Sequence, residues 1–334
     1  MANPVLVEVT RGGRVESAHR GSAVVVDETG RTLFSAGDPQ APVFPRSAIK
    51  AMQALPLVET GAADAYRFGD VELALACASH SGEPAHVEGV ASMLAAAGLM
   101  REALECGSHW PSNHAATVAL ARSGQDPTAL HNNCSGKHAG FICTAKHLGI
   151  GHEGYVSYHH PVQKMLRQAL TELTGAHLAI DNCGTDGCSI PTYAVPLQSI
   201  ASGFVRMITG DGLEPIRARA ARRIFDACMA KPFFVAGTHR TCTRLMETQP
   251  GAIFAKTGAE GVFCAALPRQ AIAVAIKCDD GNKRAADAAV AALLARFIDA
   301  DEEARERLWA QSRCSVRNWN NMDVGTVRVT ETLM

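Results

Sequence analysis

The chain has 334 residues, 47% of them hydrophobic and 19% charged, and a formal net charge of −1. That length and composition suit a folded globular chain and exclude a disordered one. Both signs of charge are spread along the chain without a long basic tract, so we expect no nucleic-acid partner. No apolar stretch is long enough to cross a bilayer, and the start lacks the pattern of a secretory signal. We therefore expect a cytoplasmic protein with no membrane partner.

The chain contains 11 cysteines, an odd number that cannot be fully paired within one molecule. A chain of this size needs no disulfide framework to fold. Most of the cysteines are expected to be small buried apolar residues, and a few are candidate metal ligands.

The start of the chain predicts an antiparallel meander of short β-branched strands. The strands are predicted at 5–9, 23–26 and 32–34, with turns at 12–13 and 28–30. Helical spacing follows through the middle of the chain. Helices are predicted over 46–57, 70–77, 85–98, 137–148, 161–174 and 214–230, with Gly149 and Gly175 as left-handed caps.

Strand patterns return near the end of the chain, around a turn at 257–261. These strands are predicted at 252–256, 262–267, 271–276 and 325–329, with a helix over about 283–299. Strands at both ends around a helical middle indicate an α+β fold with one antiparallel sheet. We expect one domain over 1–334, with the sheet from about 1–45 and 250–334 and a helical part from about 46–249.

The first candidate for catalysis is the S-x-x-K motif formed by Ser47 and Lys50. Pro45 precedes it, and on a helix the serine and the lysine share one face. A neutral, desolvated lysine can take the proton of a serine hydroxyl, and a helix N-terminus favours a developing oxyanion. The motif is common by chance, and a capping serine with a surface lysine is the alternative interpretation.

Lys256 begins a K-T-G motif at the end of a predicted strand. Serine penicillin-recognising enzymes carry S-x-x-K early on a helix and K-T-G late on a strand, which is the order found here. Their middle S-D-N motif is absent, but Ser79 or Ser81 could replace its serine and relay a proton. Glu83 could hold a substrate ammonium group. The alternative is a capped turn between two helices, with Pro84 in the first turn.

The polar segment 132–140 opens a helix, and its amides could bind a carboxylate; Gly136 and His138 are its predicted substrate-binding residues. A second segment, 183–189, offers thiol and carboxylate groups that could meet Cys134 in space. The cysteine spacing matches no standard zinc finger or ribbon, so buried free cysteines are the alternative.

Taken together, the motifs resemble those of the rhizobial-type, or class 3, L-asparaginases over nearly the whole chain. The resemblance rests on segments 44–50, 77–83, 133–140, 186–188 and 256–258, of which the C-S-G-K-H and D-G-C sequences are the most specific. It implies a serine β-lactamase-like fold, related to glutaminases and penicillin-binding enzymes, and a homodimer.

The resemblance also implies two catalytic pairs, Ser47 with Lys50 and Ser79 with Lys256. It implies a zinc ion near the active site as well. The implied zinc ligands are Cys134, Lys137 and Cys188, with Asp186 close by. Lysine is an unusual ligand because its amine must lose a proton to coordinate.

The predicted function is hydrolysis of L-asparagine to L-aspartate and ammonia through an acyl-enzyme on the nucleophilic serine. Charge and the resemblance place Arg46 and His138 on the substrate α-carboxylate and Glu83 on its α-amine. One alternative is a glutaminase or a β-lactamase-like amide hydrolase on the same fold. An alternative of another class is a non-enzymatic zinc or thiol sensor built from Cys134, Cys183 and Cys188.

Overall fold

Twelve strands and fourteen α-helices make up the regular structure of residues 2–334, the part of the chain that this computed structural model describes. The strands are β1 Val5–Arg11, β2 Arg14–Val26, β3 Thr32–Ala36, β4 Pro42–Val43, β5 Cys183–Thr185, β6 Pro191–Tyr193, β7 Val195–Pro196, β8 Phe254–Thr257, β9 Val262–Leu267, β10 Ile272–Cys278, β11 Cys314–Arg317 and β12 Asp323–Val329.

The α-helices are α1 Lys50–Gln53, α2 Leu55–Glu59, α3 Ala62–Ala65, α4 Asp70–Ala76, α5 Pro84–Ala96, α6 His114–Arg122, α7 Ser135–His147, α8 Pro161–Thr174, α9 Leu197–Thr209, α10 Pro215–Ala230, α11 Pro232–Ala236, α12 Thr241–Thr248, α13 Lys283–Phe297 and α14 Glu302–Ser312. Short 3-10 helices lie at Arg46–Ile49, Arg101–Ala103, Ala129–His131, Ile180–Asn182, Pro268–Gln270 and Glu331–Leu333. Within residues 2–334, none of the helices combines the length and the apolar character needed to cross a membrane.

The chain divides into two compact units, and the first contains the main sheet. This unit runs to Ala48 and also includes Val195–Thr209 and Leu245–Met334. Its strands are ordered β11-β12-β1-β2-β10-β9-β8, β3 also pairs with β2, and every pairing is antiparallel. Val7 on β1 lies opposite Val329 on β12, so the sheet is assembled from both ends of the chain as predicted.

The core of the first unit lies where helices pack on this sheet. All residues of β8 and β9 are buried, and the long helix α13 buries a row of alanines against β9, β10 and β1. Small side chains let a helix approach a sheet closely, which explains the alanine-rich sequence of α13. Helix α9 packs on β10 and β2.

The second unit is mainly helical and comprises Ile49–Ala194 and Gly210–Arg244. Helix α4 packs against α5, α7 and α10, and α7 also contacts α5 and α8. Gly149 follows the end of α7 and Gly175 ends α8, both with positive φ, as the sequence predicts. The hairpin β5–β6 belongs to the same unit.

The single helix predicted over 46–57 is wrong. The structure has a 3-10 turn at Arg46–Ile49, then α1, and then α2 with Pro56 in its first turn. A proline lacks the N–H of a helix interior and restricts the preceding residue, so the segment cannot continue as one helix. Ser47 lies in the 3-10 turn that precedes α1, so the predicted oxyanion site at the N-terminus of a regular helix loses its basis. The sequence analysis also missed α3, α6, α9, α11, α12 and α14.

A largely buried ion pair joins α10 to α2 in the second unit and allows a test of the fold. The Arg217 guanidinium donates from Nε and Nη2 to the two oxygens of Glu59 at 2.6 and 2.9 Å, and each side chain is 13% exposed. Lysine cannot reproduce this two-pronged geometry. Because Arg217 also pairs with Glu172, we expect Arg217→Lys to lower the free energy of unfolding by about 2 kcal/mol in urea titrations. Arg223→Lys, at an exposed pair with Asp64, is the control, and equal losses in both variants would contradict this account.

Candidate functional site

The amine of Lys50 is fully buried in the second unit and contacts three acceptors. Its Nζ lies 2.5 Å from the Ala78 carbonyl oxygen, 3.0 Å from Ser79 Oγ and 3.0 Å from Cys134 Sγ. A buried amine must find such partners because its desolvation would otherwise be costly. The contacts bring the lysine of the S-x-x-K motif together with a second serine and a thiol. In its neutral form, an amine at this distance from a hydroxyl can exchange a proton with it.

Of the two candidates for the second serine, Ser79 is the one that contacts Lys50. The Ser81 hydroxyl instead donates to the carbonyl oxygen of Ala236 at 2.9 Å. The backbone N–H of Ser79 is held by the Val235 carbonyl at 3.0 Å, which fixes the strand-like segment after α4. The predicted pairing of Ser79 with Lys256 joins residues of different units and stays a prediction.

Asn132 fixes the loop that carries Cys134. Its Oδ1 accepts from the Cys134 N–H at 2.8 Å, and its Nδ2 donates to the carbonyls of Cys106 and Gly107 at 2.8 and 3.2 Å. The side chain is buried, so these bonds replace all the water it would otherwise bind. The sequence analysis gave Asn132 no role, and its only signal was the Asn-Asn pair ahead of the C-S-G-K-H sequence.

Two cysteines and a second buried lysine lie together at the start of α7 and the tip of the β5–β6 hairpin. The thiol of Cys188 hydrogen-bonds to Cys134, and Lys137 Nζ donates to Cys188 Sγ at 3.1 Å. The hydrogen bond from Cys188, aided by Lys50 and Lys137, holds the pKa of Cys134 well below its usual value. The pKa of Cys188 is raised, because it shares its hydrogen with Cys134 and is buried. The thiolate form of Cys134 is therefore favoured beside the two lysine amines.

These side chains fit the zinc ion that the sequence resemblance implies. Two sulfur atoms and a lysine nitrogen converge in a buried volume, and the carboxylate of Asp186 acts electrostatically on Lys137 from nearby. Zinc favours four ligands of thiolate, nitrogen and carboxylate type. Among residues 2–334 no group of three His, Cys, Asp or Glu side chains could hold a metal, so the lysine amine would have to supply the third ligand.

Two of the predicted substrate-binding residues of the second unit, His138 and Glu83, make polar contacts within that unit. His138 is fully buried, and its Nδ1 lies 2.6 Å from the hydroxyl of Tyr155. Burial, with the charges of Lys137 and Lys50, lowers the pKa of His138 well below its usual value. The Glu83 carboxylate accepts from the backbone N–H and the hydroxyl of Thr238 at 2.8 and 2.6 Å.

Glu83 also stands immediately before the first residue of α5, with Pro84 in the first turn, as the capping alternative required. Its carboxylate nevertheless points to the loop at Thr238 rather than to its own helix. Neither Thr238 nor Tyr155 was singled out from the sequence, because each is distant in the chain from the residue that it contacts.

Gly136 has a packing role that the sequence did not indicate. A Cβ at this position would lie 2.3 Å from the carbonyl oxygen of Leu75, near the end of α4. Only glycine allows α7 to approach α4 so closely, and this approach brings Cys134 to Lys50. Its predicted contact with substrate stays a prediction.

Ser47, Arg46 and Lys256 belong to the first unit. Ser47 is half-exposed, and Arg46 before it has a φ of 51°, in the left-handed region. Residues other than glycine adopt such angles at a cost, often at functional sites. The Lys256 amine is buried at the end of β8 and donates to the Thr257 carbonyl at 3.0 Å.

The glycine of the K-T-G motif brings the Ser47 segment next to β8. A Cβ on Gly258 would lie 2.7 Å from the Pro45 carbonyl oxygen and 3.4 Å from the Ala48 Cβ. Within the first unit, the segment 45–48 and the end of β8 are therefore neighbours. The segment that carries Ser47 and the glycine of the K-T-G motif, far apart in sequence, therefore lie side by side.

Comparison with known proteins identifies one family. The family model described as L-asparaginase II matches residues 7–329. No match was found among curated proteins.

Solved structures with some similarity include a β-lactamase from Burkholderia ambifaria, with 15% identity, 88% of this chain and 92% of that chain covered, and a TM-score of 0.38. A D-alanine carboxypeptidase from Burkholderia cenocepacia shows 12% identity, coverage of 87% and 92%, and a TM-score of 0.39. A β-lactamase from Mycobacterium bovis shows 12% identity, coverage of 80% and 89%, and a TM-score of 0.37. Similarity at this level carries no argument about function, and the fold described above rests on the strands and helices themselves.

The two glycines of α7 allow a matched test of the packing that assembles this site. At Gly140 an added Cβ would lie 3.4 Å from Ala76 Cβ and Leu57 Cδ2, an ordinary contact, whereas at Gly136 it would strike backbone. We expect Gly136→Ala to lower the free energy of unfolding by about 2–3 kcal/mol. Gly140→Ala should be neutral or stabilising by up to about 1 kcal/mol, because alanine favours helix. Urea unfolding of both variants measures the difference, and a harmless Gly136→Ala would show that the approach of α7 to α4 is not needed.

Proposed function

The chain belongs to the L-asparaginase II family, and we propose that it hydrolyses the side-chain amide of L-asparagine with Ser47 as the nucleophile. The family model spans nearly the whole chain, so the resemblance to L-asparaginases predicted from the motifs is confirmed. The products are L-aspartate and ammonia. The family gives no support to the alternative of a zinc or thiol sensor.

The observation that carries the serine mechanism is the contact of the buried Lys50 amine with Ser79 Oγ at 3.0 Å. A lysine on the surface of a helix would be exposed to solvent, whereas Lys50 is completely buried. It stands three residues after Ser47 in the chain, at the spacing of the S-x-x-K motif. The combination supports Lys50 as the group that handles protons for the serines.

In the proposed reaction, Ser47 Oγ attacks the side-chain amide carbon of asparagine and gives up its proton to neutral Lys50. The C–N bond of the tetrahedral intermediate breaks, and ammonia leaves with a proton supplied through Ser79 and Lys256. Water then attacks the remaining β-aspartyl ester and gives its proton to Lys256, the ester C–O bond breaks, and Ser47 takes its proton back from Lys50 as aspartate leaves. General acid–base steps of this kind contribute about 10²–10⁴-fold each to the rate.

Charge assigns the recognition of the amino-acid end of the substrate. Arg46 and His138 are proposed to bind the α-carboxylate, and Glu83 to bind the α-ammonium group. The Glu83 carboxylate is already fixed by Thr238, so its position is set before substrate arrives. Cys134, Lys137 and Cys188 would hold the zinc ion, which, when bound, would supply a fixed positive charge that orients substrate oxygen atoms.

Asparagine and glutamine differ by one methylene, which a pocket distinguishes by only about 1–3 kcal/mol. Glutaminase activity is therefore the second candidate, and a lactam hydrolase is a third. A homodimeric state and a cytoplasmic location stay predictions from the sequence.

Removal of the nucleophile gives the direct test of the mechanism. We expect Ser47→Ala to lower kcat for L-asparagine at least about a thousandfold, because no other group can form the ester. The measurement is ammonia release from L-asparagine and L-glutamine in parallel, with the Tm recorded to show that the fold is retained. Ser35→Ala, an exposed serine on β3 of the same unit, is the control. Normal turnover by Ser47→Ala would exclude this serine as the nucleophile, and release from glutamine alone would make the protein a glutaminase.

The proposed zinc site has its own test, independent of turnover. We expect Cys188→Ala to reduce bound zinc from about one ion per chain to a small fraction of that, since a structural or catalytic site needs at least three protein ligands. Metal content is measured by mass spectrometry after purification in zinc-containing buffer. Cys143→Ala, a fully buried cysteine of α7 that donates to the Met93 carbonyl, is the matched control. Equal zinc in both variants would remove zinc from this site.

A further inference from the structure

One buried histidine of the second unit has a ring nitrogen without a partner. His138 is fully buried, its Nδ1 contacts the Tyr155 hydroxyl at 2.6 Å, and its Nε2 has no hydrogen-bond partner among residues 2–334. The neighbouring buried histidines differ. His80 accepts from the Gly82 N–H at Nδ1 and contacts a serine hydroxyl at Nε2, and both ring nitrogens of His86 are likewise hydrogen-bonded.

The hydrogen bonds of Tyr155 determine which nitrogen of His138 carries the proton. The Tyr155 oxygen accepts from the backbone N–H of Glu105 at 2.8 Å, and His138 Nδ1 is its other hydrogen-bond partner. Tyr155 is itself fully buried, so its own proton needs an acceptor, and Nδ1 is the group available. Because Nδ1 then accepts, the neutral ring must carry its hydrogen on Nε2.

We infer that Tyr155 is a positioning residue that holds His138 in its Nε2–H tautomer, so that Nε2 presents a hydrogen-bond donor to the carboxylate of the substrate. The inference deepens the proposed function and rests on its assignment of His138 to substrate binding. It makes His138 a fixed donor and not a general base.

A carboxylate fits the missing partner because a fixed N–H donor needs an acceptor, and a carboxylate is the strongest acceptor that the proposed substrate offers. A buried N–H without an acceptor is costly, so the protein gains when a ligand supplies one.

The position of Tyr155 is fixed from the backbone as well as from its hydroxyl. Gln163 Nε2 donates to the Tyr155 carbonyl at 2.9 Å, and the N–H of Gly154 donates to Glu105 Oε1 at 2.7 Å. Glu105 therefore holds this loop through its own N–H and through its side chain. Such support lets one hydroxyl impose a single tautomer and orientation on the ring.

The test replaces the hydroxyl with Tyr155→Phe in the full-length protein and reads two quantities. The first is the His138 tautomer, from long-range ¹H–¹⁵N spectra of histidine-labelled protein with the His138 signals assigned by their loss in His138→Gln. We expect the Nε2–H form in the wild type and a mixture or the Nδ1–H form in the variant. The second is steady-state kinetics, in which KM for L-asparagine should rise about tenfold while kcat changes much less.

Two controls separate this role from a purely structural one. Tyr193→Phe removes the hydroxyl of another buried tyrosine of the same unit and should leave both readouts unchanged. In a His138→Gln background, which keeps an N–H donor and has no tautomers, Tyr155→Phe should raise KM by less than about twofold. An equal rise in both backgrounds would overturn the positioning role.

An Nδ1–H tautomer in the wild type, or an unchanged tautomer in Tyr155→Phe, would overturn the inference. A shifted tautomer with unchanged KM would overturn the assignment of the substrate carboxylate as the acceptor. If the wild type released no ammonia from asparagine, the proposed function would fail, while the spectra would still decide whether Tyr155 sets the tautomer of His138.

Discussion

Burial of the Lys50 amine is the constraint on which the arrangement of the second unit depends. A buried lysine requires acceptors for its hydrogens, and the structure supplies them from two distant segments, Ala78-Ser79 after α4 and Cys134 before α7. Those segments can meet only because Gly136 lets α7 lie against the backbone of Leu75. The burial of the Lys50 amine among these acceptors thus depends on the absence of a side chain at Gly136.

A second buried lysine contacts the same pair of thiols. Lys137 reaches Cys188, which hydrogen-bonds to Cys134, so the two amines lie on either side of one thiol pair. Removing a thiol would leave a buried amine without one of its hydrogen-bond partners, which is more costly than the loss of an exposed contact. The same two thiols are the sulfur ligands of the proposed zinc site. They hydrogen-bond the two lysines and would also bind the metal.

The sequence predicted those parts of the fold that local patterns determine. Alternating β-branched residues at both ends of the chain placed the sheet, and glycines after periodic segments placed the ends of α7 and α8. The prediction of one helix over 46–57 failed because apolar periodicity continued through Pro56, which lies in the first turn of α2 and interrupts the helix that precedes it. The apolar periodicity of a segment indicates which face is buried, but it does not indicate where the backbone departs from a helix.

The sequence motifs identified several residues of the site. They did not predict contacts between residues that lie far apart in the chain. S-x-x-K, C-S-G-K-H and D-G-C pointed to Lys50, Cys134, Lys137 and Cys188, which the structure brings together. The bonds of Tyr155 to His138 and of Thr238 to Glu83 join residues that no spacing rule connects. Such partners depend on how the helices pack, which one sequence does not encode in a local pattern.

The close approach at Gly258 changes how the K-T-G motif should be understood. Its lysine offers chemistry, but its glycine marks the point where one stretch of backbone crosses another, at the Pro45 carbonyl. The side chains that position 258 can accept are thus limited by the distance between the two backbone segments, and this distance depends on the path of residues 45–48. Grafting either motif into another scaffold would therefore reproduce its position only if the crossing were transferred with it.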